Sequence, residues 1–364
     1  MSKPKVIAIY LPQFHQIKEN DMWWGEGFTE WTNVKKAQPL YEGHNQPRVP
    51  YMENYYDLSN RNVLIDQMLL ANEYMIDGFC FYHYWFKGRK LLEKPLEALL
   101  ENKSLPLKFM LSWANEPWTR TWDGDNGAKS VLMPQDYGDK RDWIEHYKYL
   151  SQFFMRNEYI KIDGRPVMVL YNPGEIQCRR EMLSAWNEEA KKDGFSDGLF
   201  IVNTHRLPVE REIPSYGDAL FDFEPLITVS DRFTYTKKKS VIKDHFGNRL
   251  DNKQEVYHVV DYGKLCELMI SREAIKKAHH YLGFFTGWDN TPRRGLKPQL
   301  VIDGNTPNVV THYFDIQYRR SIEAENEFLF INAWNEWGEG AVLEADDKFE
   351  YGYIEGIKKV IKNY

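Results

Sequence analysis

Eight short apolar runs, rich in β-branched and aromatic residues, alternate with helical patterns along the whole chain, and this alternation constrains the fold more than any other feature. The runs are Val6–Leu11, Gly78–Trp85, Lys108–Trp113, Pro166–Tyr171, Leu199–Thr204, Ala219–Phe223, Tyr281–Thr286 and Glu327–Trp334. Their lengths and near-continuous apolarity suit strands covered on both faces, as in a parallel sheet. Between them, the pattern of Asn60–Met75 puts Val63, Leu64, Met68, Leu69 and Ala71 on one side of a helix. Lys94–Leu105 repeats the arrangement with Leu96, Ala98, Leu99 and Leu100. Arg141–Met155, Ile176–Asp193, Lys264–Ala278, Pro307–Ala324 and Gly352–Lys362 continue the series, whereas Glu210–Tyr216 contains Pro214 and has room only for a short helix.

Eight strands alternating with about eight helices predict an α/β chain folded as a single (β/α)8 TIM barrel with long βα loops. The competing arrangement is an open doubly wound sheet with a second domain, but no Pro/Ser/Gly-rich linker divides the sequence and no repeat is visible. A barrel of this type needs about 250 residues; the surplus lies in three connections, 15–59, 117–140 and 226–261, all on the face where barrels build their active sites. The expected organisation is one domain over residues 1–364, with a solvated loop insertion at 226–261 centred on Tyr235–Lys253.

Composition removes several classes. With 47 Lys+Arg against 53 Asp+Glu, the net charge of −6 argues against a nucleic-acid binder, which needs a basic face. No apolar run reaches the roughly 18 residues of a membrane span, and Val6–Tyr10 is too short for a signal-peptide core. Cys80, Cys178 and Cys266 are scattered and in no metal spacing, which suits a reducing cytoplasm. Neither a dinucleotide fingerprint, a Walker loop, a zinc-protease helix nor a nucleophile elbow occurs. Asp123-Gly-Asp125 is more simply a turn than a metal clamp, and His279-His280 precedes a strand on the face opposite the site. No cofactor and no metal are therefore expected.

The chemistry concentrates at strand ends. Ten of the 12 tryptophans fall in or beside predicted C-terminal strand ends, and flat apolar rings beside polar groups suit sugars. Trp23, Trp24, Trp85, Trp113, Trp118 and Trp334 are expected to line one cleft. Asn332-Ala-Trp-Asn-Glu336-Trp-Gly-Glu339-Gly340, followed by Glu344, leaves the last strand. Two carboxylates three residues apart among indoles are the parts glycosidic cleavage requires: one protonates the leaving oxygen, the other acts as base or nucleophile. Indole walls raise the pKa of a general acid, and Gly338 and Gly340 permit a sharp turn. Ser112-Trp-Ala-Asn115-Glu116-Pro-Trp118 ends the third strand, and Asp222 and Glu224 leave the sixth. His83, Tyr84, Tyr171, Asn172, Asn203, His205 and Asp289 supply further polar strand ends.

Four blocks carry a resemblance: Ile9-Tyr-Leu-Pro-Gln-Phe-His15, Trp23-Trp-Gly-Glu-Gly-Phe-Thr-Glu-Trp31, Trp113-Ala-Asn-Glu116 and Trp334-Asn-Glu-Trp-Gly-Glu-Gly340. Together they resemble the WbsX-like family, which is related to glycoside hydrolase family 99 and is found among bacterial surface-polysaccharide and lipopolysaccharide proteins. The resemblance implies a (β/α)8 barrel and an oligosaccharide or polysaccharide substrate. It also implies that Glu336 is a base and Glu339 a general acid/base, with the sugar's own 2-hydroxyl attacking to give a 1,2-anhydro sugar and net retention. Gly338 stands where family 99 often has a bulkier residue. The leading expectation is thus a cytoplasmic, endo-α-mannosidase-like hydrolase or transglycosylase. Its alternatives are a glycosyltransferase of O-antigen or capsule assembly and a carbohydrate-binding barrel without catalysis. The expected substrate contacts are Tyr10, Trp23, Trp24, His83, Trp85, Trp113, Asn115, Glu116, Trp118, Tyr171, Asn203, Glu224, Trp334 and Asn335.

Overall fold

In the computed structural model, which describes residues 3–120, 130–206, 217–230, 235–239, 256–274, 276 and 279–364, the apolar runs pair side by side. Strand β1 (Lys5–Tyr10) lies parallel to both β2 (Gly78–Phe86) and β8 (Phe328–Asn332). From β2 the ring continues, always parallel, through β3 (Lys108–Trp113), β4 (Arg165–Leu170), β5 (Phe200–His205) and β6 (Ala219–Asp222). Strand β7 is broken: His280–Tyr281 pairs with β6, and Gly283–Phe285 pairs with β8. That divided strand closes the sheet, giving the (β/α)8 barrel.

Parallel neighbours need a crossover on the outside, and the amphipathic segments provide it. They are α3 (Arg61–Glu73), α4 (Lys94–Glu101), α5 (Lys140–Phe154), α6 (Arg179–Lys192), α8 (Tyr262–Ser271), α10 (Pro307–Glu323) and α11 (Gly352–Asn363). Asn60 caps α3 by accepting from Asn62 N, and Asp139 caps α5 by accepting from Arg141 N and Asp142 N. Inside the ring Phe221 stacks on Phe330 at 4.3 Å. Outside it, Trp113 of β3 meets His146 of α5 at 4.8 Å and Trp186 of α6 at 6.1 Å. Both layers are continuous apolar core.

The described parts of the long connections carry regular elements. The first contains α1 (Lys18–Trp24) and α2 (Glu30–Lys36); the third-strand connection forms a small hairpin from Trp118–Thr119 and Val131–Met133. After the short α7 (Leu226–Val229), Tyr235–Lys239 pairs antiparallel with Val256–Asp261, which runs parallel to Ile302–Asp303. The insertion therefore carries paired strands, not only solvated loop, and Val259 and Val301 pack with Leu40 and Tyr41 in a separate small core. Helix α8 stops at Ser271, short of the predicted Ala278, and α4 stops at Glu101. The short helix predicted at Glu210–Tyr216, and Trp122, Asp123 and Asp125, lie outside the described residues. Among the described residues no helix is long and apolar enough to cross a membrane.

Candidate active site

The loop after β8 is fixed before it reaches its carboxylates. Trp334 N donates to Ile9 O at 2.7 Å, and Asn335–Glu336 pairs antiparallel with Ala341–Val342. Between these pieces Trp337–Glu339 makes a single 3-10 turn, in which residues three apart eclipse one another. Glu336 and Glu339 accordingly project together. Gly340 closes the turn at φ +69°, a left-handed conformation that side chains resist. Arg48, from the first connection, locks the turn from behind: its Nη1 donates to Gly340 O at 3.0 Å and its Nε pairs with Asp346 at 2.7 Å.

Glu336 and Glu339 open into a pocket of about 280 Å³ at the C-terminal mouth of the barrel. Its walls include Trp24, Trp118 and Trp288, with Tyr82, Tyr84, Tyr171 and Phe223, and its polar groups include Gln13, Glu116, Asn332 and Arg293. Arg293 belongs to α9 (Thr291–Arg294), whose first turn holds Pro292. Its guanidinium reaches Glu336 Oε1 and Oε2 through Nη2 at 3.0 and 3.2 Å, and Glu339 Oε1 through Nη1 at 2.9 Å. Its Nε donates to Glu30 Oε1 at 3.0 Å, and Gln13 Nε2 donates to Glu30 Oε2 at 3.0 Å. Burial pushes the Glu336 and Glu339 carboxyls above their usual range; Arg293 pulls both down, and the negative charge of Glu30 adds to the rise. Three carboxyls, those of Glu30 and Glu336 buried and that of Glu339 half-buried, thus gather around the Arg293 guanidinium.

Glu116 stands on the opposite wall, its Oε1 accepting from Arg206 Nη1 at 2.7 Å and Asn172 Nδ2 at 3.1 Å. Arg206 also lies 4.6 Å over the Tyr171 ring. Of the expected contacts, Trp24, Glu116, Trp118 and Tyr171 line the pocket with Glu336 and Glu339. The rest have other positions. Side chains alternate faces along a strand, so with Tyr82 and Tyr84 in the pocket, His83 and Trp85 turn outward. His83 meets His146 at 2.9 Å, and Trp85 stacks on that same ring at 4.6 Å. Trp113 turns outward for the same reason. Tyr10 donates to Gln67 at 2.5 Å, and Trp334 packs on Phe79 at 5.0 Å. Trp23 sits behind Trp118, edge-on at 5.8 Å. The expectation that six tryptophans line one cleft therefore needs correction: Trp24 and Trp118 do, joined by Trp288, while Trp85 and Trp113 pack beneath helices and Trp334 is buried against Phe79 of β2.

Three of the other expected contacts act on backbone or on buried partners. Asn115 exchanges hydrogen bonds with the Asn172 backbone at 2.7 and 2.8 Å, and Asn335 does the same with Leu11. Asn203 is wholly buried away from the pocket. Glu224 lies outside the ring against Thr228 and Arg272, where burial pushes its carboxyl up to about 7. Glu344 is also behind the loop. It accepts from Trp334, Trp337, Tyr56 and Gln67 at 3.1, 2.8, 2.7 and 2.6 Å.

Sequence reasoning missed Arg293 and Glu30. The available signals were a pair of arginines in a βα connection, and an acidic residue inside the aromatic block Phe28-Thr-Glu-Trp31. Gly338 sits in the turn, but its φ is not left-handed. A Cβ there would sit 2.3 Å from Glu30 Oε1 and 2.8 Å from Arg293 Nε, so the glycine makes room for that ion pair.

One grouping of potential metal ligands occurs among the described residues: His205, Asp222 and His280. His205 Nδ1 and His280 Nε2 approach the same Asp222 oxygen at 2.9 and 2.7 Å, and Arg272 stands 4.0 Å from the other oxygen. These are hydrogen-bond lengths around a carboxylate that already faces a cation. They hold Asp222 below the usual carboxylate range although burial acts to raise it.

Comparison with known proteins gives the family and the fold. A family model described as glycosyltransferase WbsX matches residues 6–357. The uncharacterized protein WxcX of Xanthomonas campestris pv. campestris, in two strains, is 34% identical over 363 residues, covering 98% of this chain and 49% of WxcX. The chain thus spans about half the length of the curated relatives it matches. Among solved structures, the family 99 endo-α-mannosidase of Bacteroides thetaiotaomicron superposes with a TM-score of 0.58 at 16% identity, covering 99% of this chain and 96% of that one; it was solved in complex with bis-tris propane. A glycoside hydrolase-like protein gives the same TM-score at 11% identity, covering 99% and 94%. At such identities the likeness establishes the fold, a (β/α)8 barrel.

Proposed function

The chain belongs to the glycosyltransferase WbsX family, and from that premise we propose that it is a carbohydrate-active enzyme: a retaining hydrolase or transglycosylase acting on an α-linked, mannose-like unit of a bacterial surface polysaccharide or its precursor. The observation that carries this reading is the Glu336–Glu339 pair, brought together by one 3-10 turn at the floor of a pocket walled by Trp24, Trp118 and Trp288. A binding barrel without catalysis needs the indoles, but it has no use for two buried carboxyls in a common charge network. Action in the cytoplasm is part of the proposal, in keeping with three free thiols. So is the view of the chain as one domain with 226–261 inserted.

In this reading Glu336 takes the proton of the substrate's 2-hydroxyl as that oxygen attacks the anomeric carbon. Glu339 gives its proton to the departing glycosidic oxygen. Water then opens the 1,2-anhydro sugar at the anomeric carbon, losing its proton to Glu339, while Glu336 returns a proton to the 2-oxygen. Two inversions give net retention. A sugar hydroxyl in place of water makes the same site a transglycosylase, which is how the family's description as glycosyltransferases is reconciled with this pocket.

The test is incubation with α-mannose oligosaccharides labelled at the reducing end. Shortened or lengthened products, with the α configuration kept by proton NMR, are expected. Loss of sugar nucleotide with no change in oligosaccharide donors would replace this reading with ordinary nucleotide-sugar transfer.

A further inference from the structure

Two glutamates at the ends of one 3-10 turn, with a third a few ångströms away, cannot all be charged in a buried pocket without a counter-ion, and the fold brings one in from a different element. Arg293 is buried and bonds to all three, but not equally. Nη2 covers both oxygens of Glu336 at 3.0 and 3.2 Å, while Nη1 meets one oxygen of Glu339 at 2.9 Å. Glu30, itself held by Gln13, anchors the Nε edge. The planar guanidinium therefore has a fixed roll, and Lys could not supply that bidentate geometry. The cavity that admits Glu30 and Arg293 is the missing side chain of Gly338, between the two glutamates in sequence.

We propose that Arg293, admitted by Gly338 and anchored by Glu30, is a positioning residue that fixes the two carboxyls against one guanidinium and holds down the proton affinity of both. This rests on the reading of Glu336 and Glu339 as the reacting pair. It deepens that reading by naming the residue on which the geometry and the charge of the pair both depend. The pair is faced by Glu30 of α2, by Arg293 and Arg294 of α9, by Tyr82 and Tyr84 of β2 and by Tyr171 beyond β4. Among these groups the charge of Arg293 lowers both carboxyls and that of Glu30 raises both, so removing each should act in opposite directions.

The experiment titrates the folded protein directly, labelled with [δ-13C]glutamate and observed by carbon NMR, with E336Q and E339Q spectra supplying the assignments. Arg293→Met should raise the midpoints of both carboxyls by about one pH unit or more, a tenfold gain in proton affinity. Glu30→Gln should lower them. Gly338→Ala, whose Cβ displaces Glu30 together with Arg293, should shift the midpoints less than Arg293→Met because the two losses oppose each other, and Arg293→Lys should fall between wild type and Arg293→Met. Unchanged midpoints in Arg293→Met, or Arg293→Met and Glu30→Gln moving the same way, would overturn the proposal. Where Arg293→Met does not fold by circular dichroism, Glu30→Gln and Arg293→Lys decide it by the same signs. The titration needs no substrate. A wild-type protein that processes no oligosaccharide therefore defeats the proposed function without touching this measurement, and normal midpoints in an active Arg293→Met protein defeat the role of Arg293 alone.

Discussion

Asn335 grips Leu11 by both of its main-chain groups: Leu11 N donates to Asn335 Oδ1 at 2.8 Å, and Asn335 Nδ2 donates to Leu11 O at 3.0 Å. The side-chain amide thus does what a neighbouring strand would do, at the point where β1 ends and one residue before Glu336. Only an amide carries a donor and an acceptor in that geometry. The clamp joins the two ends of the chain's barrel circuit, and the position of Glu336 depends on it.

Asn335→Ala should destabilise the fold by about 1–3 kcal/mol, since both Leu11 groups are buried and lose their partners. Asn335→Asp should be no milder, because a carboxylate oxygen would face the Leu11 carbonyl. Urea unfolding monitored by fluorescence measures both, and stability unchanged in the Ala variant would remove the clamp from the account of the site.

Under the proposed mechanism, Glu336 and Glu339 should respond differently to the leaving group. Losing a positioned acid or base typically costs about 10²–10⁴ in rate. A mannoside with an activated phenol should restore much of the first step in Glu339→Gln, because the leaving oxygen then needs no proton. It should not rescue Glu336→Gln, whose missing task is deprotonation of the 2-hydroxyl. A 2-deoxy substrate should bind and not turn over; its rapid turnover would return Glu336 to the part of a direct nucleophile.

Acid should destabilise the protein through buried histidines. Burial pushes His83 down to about 3 and His15 to about 4, and it holds His146 well below its usual range. Their folded values lie below the unfolded value of about 6.5, so from there down to about 3 the unfolded chain binds protons that the folded chain does not. Their contribution is present above pH 6.5 and is lost through that window at up to about 1.4 kcal/mol per pH unit for each histidine. Glu224 and Glu344, both raised to about 7 chiefly by burial, act oppositely: their contribution is present below about pH 4.5 and lost as pH rises through 7. The difference between wild type and His83→Phe/His146→Phe therefore isolates the histidine slope. Parallel stability curves for the two proteins from pH 6.5 to 4 would contradict it.

The barrel was legible because its signal is repeated. Each apolar run and each amphipathic helix is a separate witness to the same architecture, and β3 spans the predicted Lys108–Trp113 without change. Glu336 and Glu339 were legible because they are close in sequence and follow a strand directly. What the sequence concealed depends on facing. Trp113 and Trp118 both sit beside a predicted strand end, yet Trp113 turns outward from β3 to α5 and α6, while Trp118 lies in the short strand beyond it and lines the pocket. Arg293 was concealed for a different reason. Its partners lie 263 and 43 residues away, and nothing local distinguishes it from Arg294 beside it. The N-terminal blocks were legible as motifs, but not as the buttress that Gln13, Glu30 and Arg48 make of them.

The same division among tryptophans gives a test that separates platform from core. Trp24 and Trp118 stand in the pocket wall with part of their surface exposed, while Trp334 is fully buried and its indole donates to Glu344 at 3.1 Å. Truncating a buried tryptophan removes packing and leaves a cavity, so Trp334→Ala should cost about 3–5 kcal/mol. It should also leave Glu344 one donor short. Trp24→Ala and Trp118→Ala should cost much less stability, Trp118 the more of the two because Trp23 and Tyr84 rest edge-on against it at 5.8 and 5.2 Å. Their loss should appear in ligand affinity instead, as a rise in the KM of an α-mannose oligosaccharide, since an indole face in the wall contributes chiefly to holding the sugar ring. Thermal unfolding and steady-state kinetics on the three variants measure the two axes independently. Trp24→Ala and Trp118→Ala with unchanged KM would leave those rings as supports for their loops, and the sugar platform would then rest on Trp288 alone among the pocket's three tryptophans.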